Sequence, residues 1–152
     1  MKVYLDVCCL CRPFDDQSVN RILLESEAVK EILLCCTQDW TLVVSDAVTY
    51  EISRIRDKTR MKKIRKFLEI PHDHVAITKK VSLRYHDFVK LGIDPPDALH
   101  LACAEAAEAV MLTTDDTVIK IIKKYPYHIS IEVHNPVEWL MEVNAHGSKD
   151  SE

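Results

Sequence analysis

Along the chain, short unbroken apolar runs alternate with longer stretches in which apolar positions recur every three or four residues. Val3-Tyr4-Leu5, Leu42-Val43-Val44, Val75-Ala76-Ile77, Val110-Met111-Leu112 and the segment from Ile129 to Val133 are of the first kind. Runs without polar alternation suit strands buried on both faces, the habit of parallel sheets. The second kind begins with Val19, Ile22, Leu23, Ser26, Val29, Ile32, Leu33 and Cys36, a stripe that predicts a long helix with one face in the core. Further helices are predicted after Ser45 or Asp46, which can cap the first of them, from Met61 to Leu68, and from Val81 to Leu91 with Gly92 as the C-cap. The Asp94-Pro95-Pro96-Asp97 segment opens another, with Asp94 at the N-cap and prolines in the first turn. Helices through Val118 to Ile122 and from Pro136 to Val143 complete the series. Strand and helix alternate throughout, so the expected class is α/β, three layers with a central, mainly parallel, five-stranded sheet.

Composition changes this picture little. A chain of 152 residues with 47% hydrophobic and 29% charged side chains, Gly 2 and Pro 6 is expected to fold as one domain over residues 1–143, followed by a disordered tail over 144–152. No secretory leader and no run of roughly 20 apolar residues is seen, so the expectation is a cytoplasmic protein with no membrane segment. The six cysteines are then expected as reduced, mostly buried thiols, since no second C-x-x-C with His at zinc-ligand spacing accompanies Cys8, Cys9 and Cys11. Two glycines, Gly92 and Gly147, cannot build a phosphate-binding loop, which argues against a nucleotide-binding doubly wound domain.

Charge alters the picture locally. The net charge of -4 is mildly acidic, yet Arg54, Arg56, Lys58, Arg60, Lys62, Lys63, Arg65 and Lys66 face only Asp57 in one short stretch. This is either a solvated helix face or an electrostatic footprint for a polyanion.

The chemistry is expected from acids at the ends of strands. Asp6 directly follows one apolar run and Asp115 follows another after Thr113-Thr114, and Glu51 and Asp97 are expected in the first turns of helices that start at the same sheet edge. Ligands bind at the carboxyl edge of parallel sheets, and carboxylates gathered there repel one another unless a cation joins them. Oxygen ligands of this kind suit Mg²⁺ or Mn²⁺. Asp97, at the third position of its helix, is expected to be held ionised by the helix dipole. His100 on the same helix reads as a structural residue that can also reach a phosphate.

These pieces together resemble the PIN domain family, many of whose prokaryotic members are VapC-like toxin ribonucleases of type II toxin–antitoxin pairs. The resemblance rests on Tyr4-Leu5-Asp6, Arg12-Pro13-Phe14-Asp15-Asp16-Gln17, Glu51 after Ser45, Asp97-Ala98-Leu99-His100-Leu101-Ala102, Leu112-Thr113-Thr114-Asp115-Asp116 and Asn135-Pro136-Val137-Glu138. It implies a metal-dependent endoribonuclease in which Asp6, Glu51, Asp97 and Asp115 hold Mg²⁺ or Mn²⁺ around a scissile RNA phosphate. Asp116 shares the last ligand role in this reading, and Thr113 or Thr114 orients carboxylates. It further implies an antitoxin protein as partner and a homodimer. One departure is Val7-Cys8, where the family often has a small polar pair, so fewer hydrogen-bonding groups are expected near the metal. The alternative reading is an RNA-binding or regulatory PIN module that uses the basic stretch without turnover.

Overall fold

The computed structural model describes residues 1–150. Its centre is a five-stranded sheet with the order β3-β2-β1-β4-β5, built from β1 (Lys2–Leu5), β2 (Thr41–Ser45), β3 (His72–Val75), β4 (Val110–Leu112) and β5 (Val133–His134). Every pairing is parallel: Val3 stands opposite Leu42 on one side and Val110 on the other. β1 is thus the middle strand, and Val3, Tyr4 and Leu5 are fully buried because both faces of the sheet are covered. Each such aliphatic side chain contributes roughly 1.5–3 kcal/mol by leaving water.

The helices follow the alternation: α1 (Val7–Cys11), α2 (Asn20–Cys36), α3 (Asp46–Ser53), α4 (Lys58–Arg65), α5 (Lys79–Lys90), α6 (Pro95–Ala106), α7 (Asp116–Lys123) and α8 (Pro136–Asp150). α2 with α8 forms one layer outside the sheet and α5 with α6 the other, while α3 meets α6 at the carboxyl edge. The chain leaves β1 in one direction to reach β2 and β3, then crosses back to β4 and β5. The reversal opens a crevice between the carboxyl ends of β1 and β4, where Asp6 and Asp115 lie.

Departures from the expected elements lie where apolar content is a poor guide. β3 is His72–Val75 rather than Val75 to Ile77, and its residues are exposed or half-exposed. An edge strand pairs on one side and faces solvent, so it needs backbone hydrogen bonds more than apolar side chains. Ile77 instead lies in a loop, its N–H donated to Asp46 Oδ2. β5 pairs through Val133 and His134 alone, and Ile129 is buried from the preceding loop. Val19, at the N-cap of α2, and Leu23 within it are exposed, and the buried face is Glu25, Ser26, Ala28, Val29, Ile32, Leu33 and Cys36. α8 continues past Val143, so residues 144–150, expected as a tail, extend the helix, while 151 and 152 lie outside the described residues.

Other details agree with the sequence reading. Gly92 takes a φ of +98° just past α5, and its N–H donates to the Val89 carbonyl. Ser45 Oγ accepts the Val48 N–H and caps α3. The six cysteines are free thiols, with Cys9, Cys36 and Cys103 buried. No helix among the described residues is long and apolar enough to cross a membrane.

Candidate metal centre

Asp6 ends β1 at the N-cap position of α1, where its backbone N–H donates to the Leu112 carbonyl of β4 and its side chain caps nothing. The carboxylate is free to turn into the crevice. There Oδ2 accepts a 3.0 Å hydrogen bond from the Thr113 hydroxyl, which itself accepts the Asp115 N–H at 3.2 Å. Thr113 is fully buried and orients Asp6, the supporting role that the sequence offered to either threonine. Cys8 partly replaces the polar group expected after Asp6: its Sγ accepts the Thr114 N–H at 3.4 Å and lies 3.5 Å from the Thr113 hydroxyl. Val7 is buried in the core.

Asp6, Glu51 and His100 each offer a ligand atom to one point, all within 4.8 Å of one another. His100 Nε2 stands 3.4 Å from Glu51 Oε2 and 3.7 Å from Asp6 Oδ1. These are charge contacts rather than hydrogen bonds, and Glu51 Oε2 is buried with no hydrogen-bond partner. A buried carboxylate oxygen without a hydrogen bond is costly.

His100 enters this cluster as a member, although its position in the sequence suggested a structural role. It is 2% exposed, and its Nδ1 lies 2.6 Å from the Tyr4 hydroxyl, which is also 2.7 Å from Ser45 Oγ. Tyr4, read from the sequence as one more apolar strand residue, therefore fixes the ring from behind. Burial opposes a charge on His100, but the Glu51, Asp6 and Asp97 carboxylates outweigh it and hold the imidazole pKa above its ordinary value. The signal that could have found His100 was its i,i+3 spacing from Asp97, which puts both on one face of α6.

Asp97 corrects one expectation. The helix dipole was to favour its ionised form, but burial, reinforced by repulsion from Asp6 and Asp115, raises its pKa to about 6, so the ionised form still prevails at neutral pH but with a smaller margin. Desolvation and like charge outweigh a dipole effect that is usually worth no more than about 1 kcal/mol. Asp94 occupies the N-cap position of α6 without a side-chain cap bond.

The other two acids are used differently. Asp115 is exposed and caps α7, its Oδ1 accepting the Thr117 and Val118 N–H groups. Asp116 turns away to Arg21, whose two terminal nitrogens donate to its two oxygens at 2.8 and 2.9 Å. The arrangement therefore brings Asp6, Glu51 and His100 together, sets Asp97 where Asp6 and Asp115 repel its charge, and leaves Asp116 in an ion pair.

Residues 3–125 match the sequence profile of the PIN domain. The chain belongs to the PIN domain family. PIN domains are generally nucleases, and their divalent metals match the chemistry of this donor set: clustered carboxylates, one of them with an unpartnered buried oxygen. Among solved structures, VapBC2 from Rickettsia felis bound to a DNA fragment from their promoter aligns with a TM-score of 0.60 and 20% identity, over 88% of this PIN chain and 98% of that one. VapBC-1 from nontypeable Haemophilus influenzae aligns with a TM-score of 0.60 and 16% identity, over 90% and 98%. FitAcB from Neisseria gonorrhoeae gives 0.57 and 15%, over 88% and 97%. At these identities the likeness establishes a shared fold. No curated protein matches the sequence.

A second polar cluster, missed in the sequence, surrounds Glu25 of α2. Glu25 is 1% exposed, and its two oxygens take Arg12 Nε at 2.9 Å, Asn135 Nδ2 at 2.7 Å and Arg21 Nε at 3.4 Å. Arg12 and Arg60 also hold Asp15, at 2.9 and 2.6 Å. Arg60 is thereby withdrawn from the basic stretch, whose Lys58, Lys62, Lys63, Arg65 and Lys66 stay exposed.

Proposed function

We propose that this PIN domain is a metal-dependent endoribonuclease, the toxin of a type II toxin–antitoxin pair acting in the cytoplasm. The observation that supports it most is the convergence of Asp6, Glu51 and His100 within 4.8 Å, with Glu51 Oε2 unpartnered and Asp97 raised to about 6 beside them. Such a cluster is poorly compensated in the chain alone and well suited to a divalent ion. Asp6 and Glu51 would hold Mg²⁺ or Mn²⁺ with Asp97, and Asp115 would complete the acidic edge. A bound divalent ion supplies an acidified water as nucleophile and a positive charge against the phosphate oxygens.

The chain's own residues prepare that site. Thr113 aims the Asp6 carboxylate, and Tyr4 with Ser45 holds the His100 ring, so the ligand atoms meet without a search through rotamers. A bound cation would offset the repulsion from Asp6 and Asp115 that raises the Asp97 pKa and so would favour its ionised form. The relatives in solved structures are toxin–antitoxin complexes in name, VapBC and FitAcB, which favours a small antitoxin protein as the partner here, with a homodimer as the toxin unit.

The test is cleavage of a mixed RNA pool by purified protein with Mg²⁺, with Mn²⁺ and with EDTA, beside the Asp97→Asn variant. Metal-dependent cleavage should fall by at least about 100-fold in the variant, the scale of losing a group that acts on the reacting centre. Folded, partner-free protein that binds RNA but cuts none with either metal would instead establish a binding module.

A further inference from the structure

A groove of about 530 Å³ opens beside the acids, lined by Ala47, Tyr50 and Arg54 of α3, Tyr85 of α5, and Pro96 and Leu99 of α6. Its inner wall is formed by Glu51 and His100. On α3 the positions 47, 50, 51 and 54 share one face, so the side chain that would hold the metal also borders the groove. The volume falls in the roughly 300–1,000 Å³ range of small-ligand sites.

Tyr50 is 65% exposed, an unusual state for a large ring next to a catalytic edge. The Arg54 guanidinium lies 5.9 Å from its centroid. An exposed ring with a guanidinium at hand is what proteins use to stack an unpaired base while tracking its phosphate. Arg54 also begins the exposed basic stretch that continues through Arg56, Lys58, Lys62 and Lys63. An apolar lining alone would equally suit a protein segment, but a cationic flank and a wall shared with the acids favour a nucleotide.

We propose that this groove is a base-binding subsite, in which Tyr50 stacks an unpaired RNA base next to the scissile phosphate and Arg54 meets the adjoining phosphate. The subsite rests on the ribonuclease reading above and adds to it a determinant of where the strand is held. Because Tyr50 is solvent-exposed, its substitution should leave the fold and melting temperature intact.

The experiment measures fluorescence anisotropy of a labelled single-stranded oligoribonucleotide with the non-cleaving Asp97→Asn protein in Mg²⁺, then with Tyr50→Phe or Tyr50→Leu added. Phe should keep the affinity within about twofold, whereas Leu, apolar but without a π-face, should weaken it by about tenfold. The difference should vanish on a strand whose bases are replaced by abasic sites. Equal affinity for the Tyr50→Leu protein would overturn the subsite and leave the ribonuclease reading standing. A change in sedimentation mass without a change in RNA affinity would also overturn it, and assign the groove to a second copy of the chain. Absence of RNA binding by every variant, at low salt, would overturn both readings.

Discussion

Two clusters of acids, one around Glu25 and one around Asp6, are treated in opposite ways. Around Glu25, which is almost fully buried, the chain supplies Arg12, Arg21 and Asn135, and Asp15 and Asp116 are paired in turn. Around Asp6, it supplies Thr113 and His100, leaves Glu51 Oε2 in a charge contact with His100 but without a hydrogen bond, and lets the Asp97 pKa rise to about 6. A buried carboxylate with its cations built in is a structural joint that ties α2 to the segment before it and to the start of α8. One whose compensation is incomplete has the chemistry that the proposed metal site requires.

The largest effect expected from this contrast is at Glu25. Glu25→Ala removes a buried carboxylate and strands the half-buried Arg12 and Asn135, and should cost about 3 kcal/mol, roughly a 10 °C drop in melting temperature. Thermal unfolding followed by circular dichroism would measure it, and a drop no larger than that of a surface mutant would place Glu25 outside the structural joint. In the wild-type protein, Mg²⁺ at a hundredfold excess over its dissociation constant should add about 2.7 kcal/mol, and the gain should shrink sharply in Asp6→Asn. Calorimetry with and without EDTA would show this. Equal stabilisation of both proteins would put the ion elsewhere.

Asp97 sharpens the contrast through pH. Its carboxyl binds a proton more tightly in the fold, near pH 6, than in the unfolded chain, near 3.8. It therefore favours the metal-free fold below pH 4, and that contribution is lost as pH rises through 6. Asp97→Asn should be more stable than the metal-free wild type above pH 6, by on the order of 1 kcal/mol after allowance for solvent screening, and indistinguishable from it below pH 4. Denaturant titrations across this range would test it, and a gap that does not change with pH would remove Asp97 from the repelling cluster. The smallest effect concerns the two neighbouring acids on β4's loop. Asp115→Asn should lower cleavage more than Asp116→Asn, because Asp116 is already paired with Arg21 at the surface. Rates with the same RNA pool would rank them, and the reverse order would return Asp116 to the metal.

The sequence by itself determined the class, the parallel sheet and the acids at strand and helix ends, because those follow from periodicity and from neighbours along the chain. Val3 to Leu5 followed by Asp6 is legible without coordinates: an unbroken apolar run makes a buried strand, and an acid cannot extend it. The edge strand β3 was less legible, since exposure removes the apolar signal on which its detection depends, and β5 pairs through only two residues, at the end of the run that announced it. What the tertiary structure decided was which charges are compensated. His100 reaches Tyr4 across 96 positions, and Asn135 reaches Glu25 across 110. No local pattern records such pairings. Whether a carboxylate becomes a joint or a ligand depends on the charges and the solvent around it, and these exist only once the sheet and its helices have closed over it.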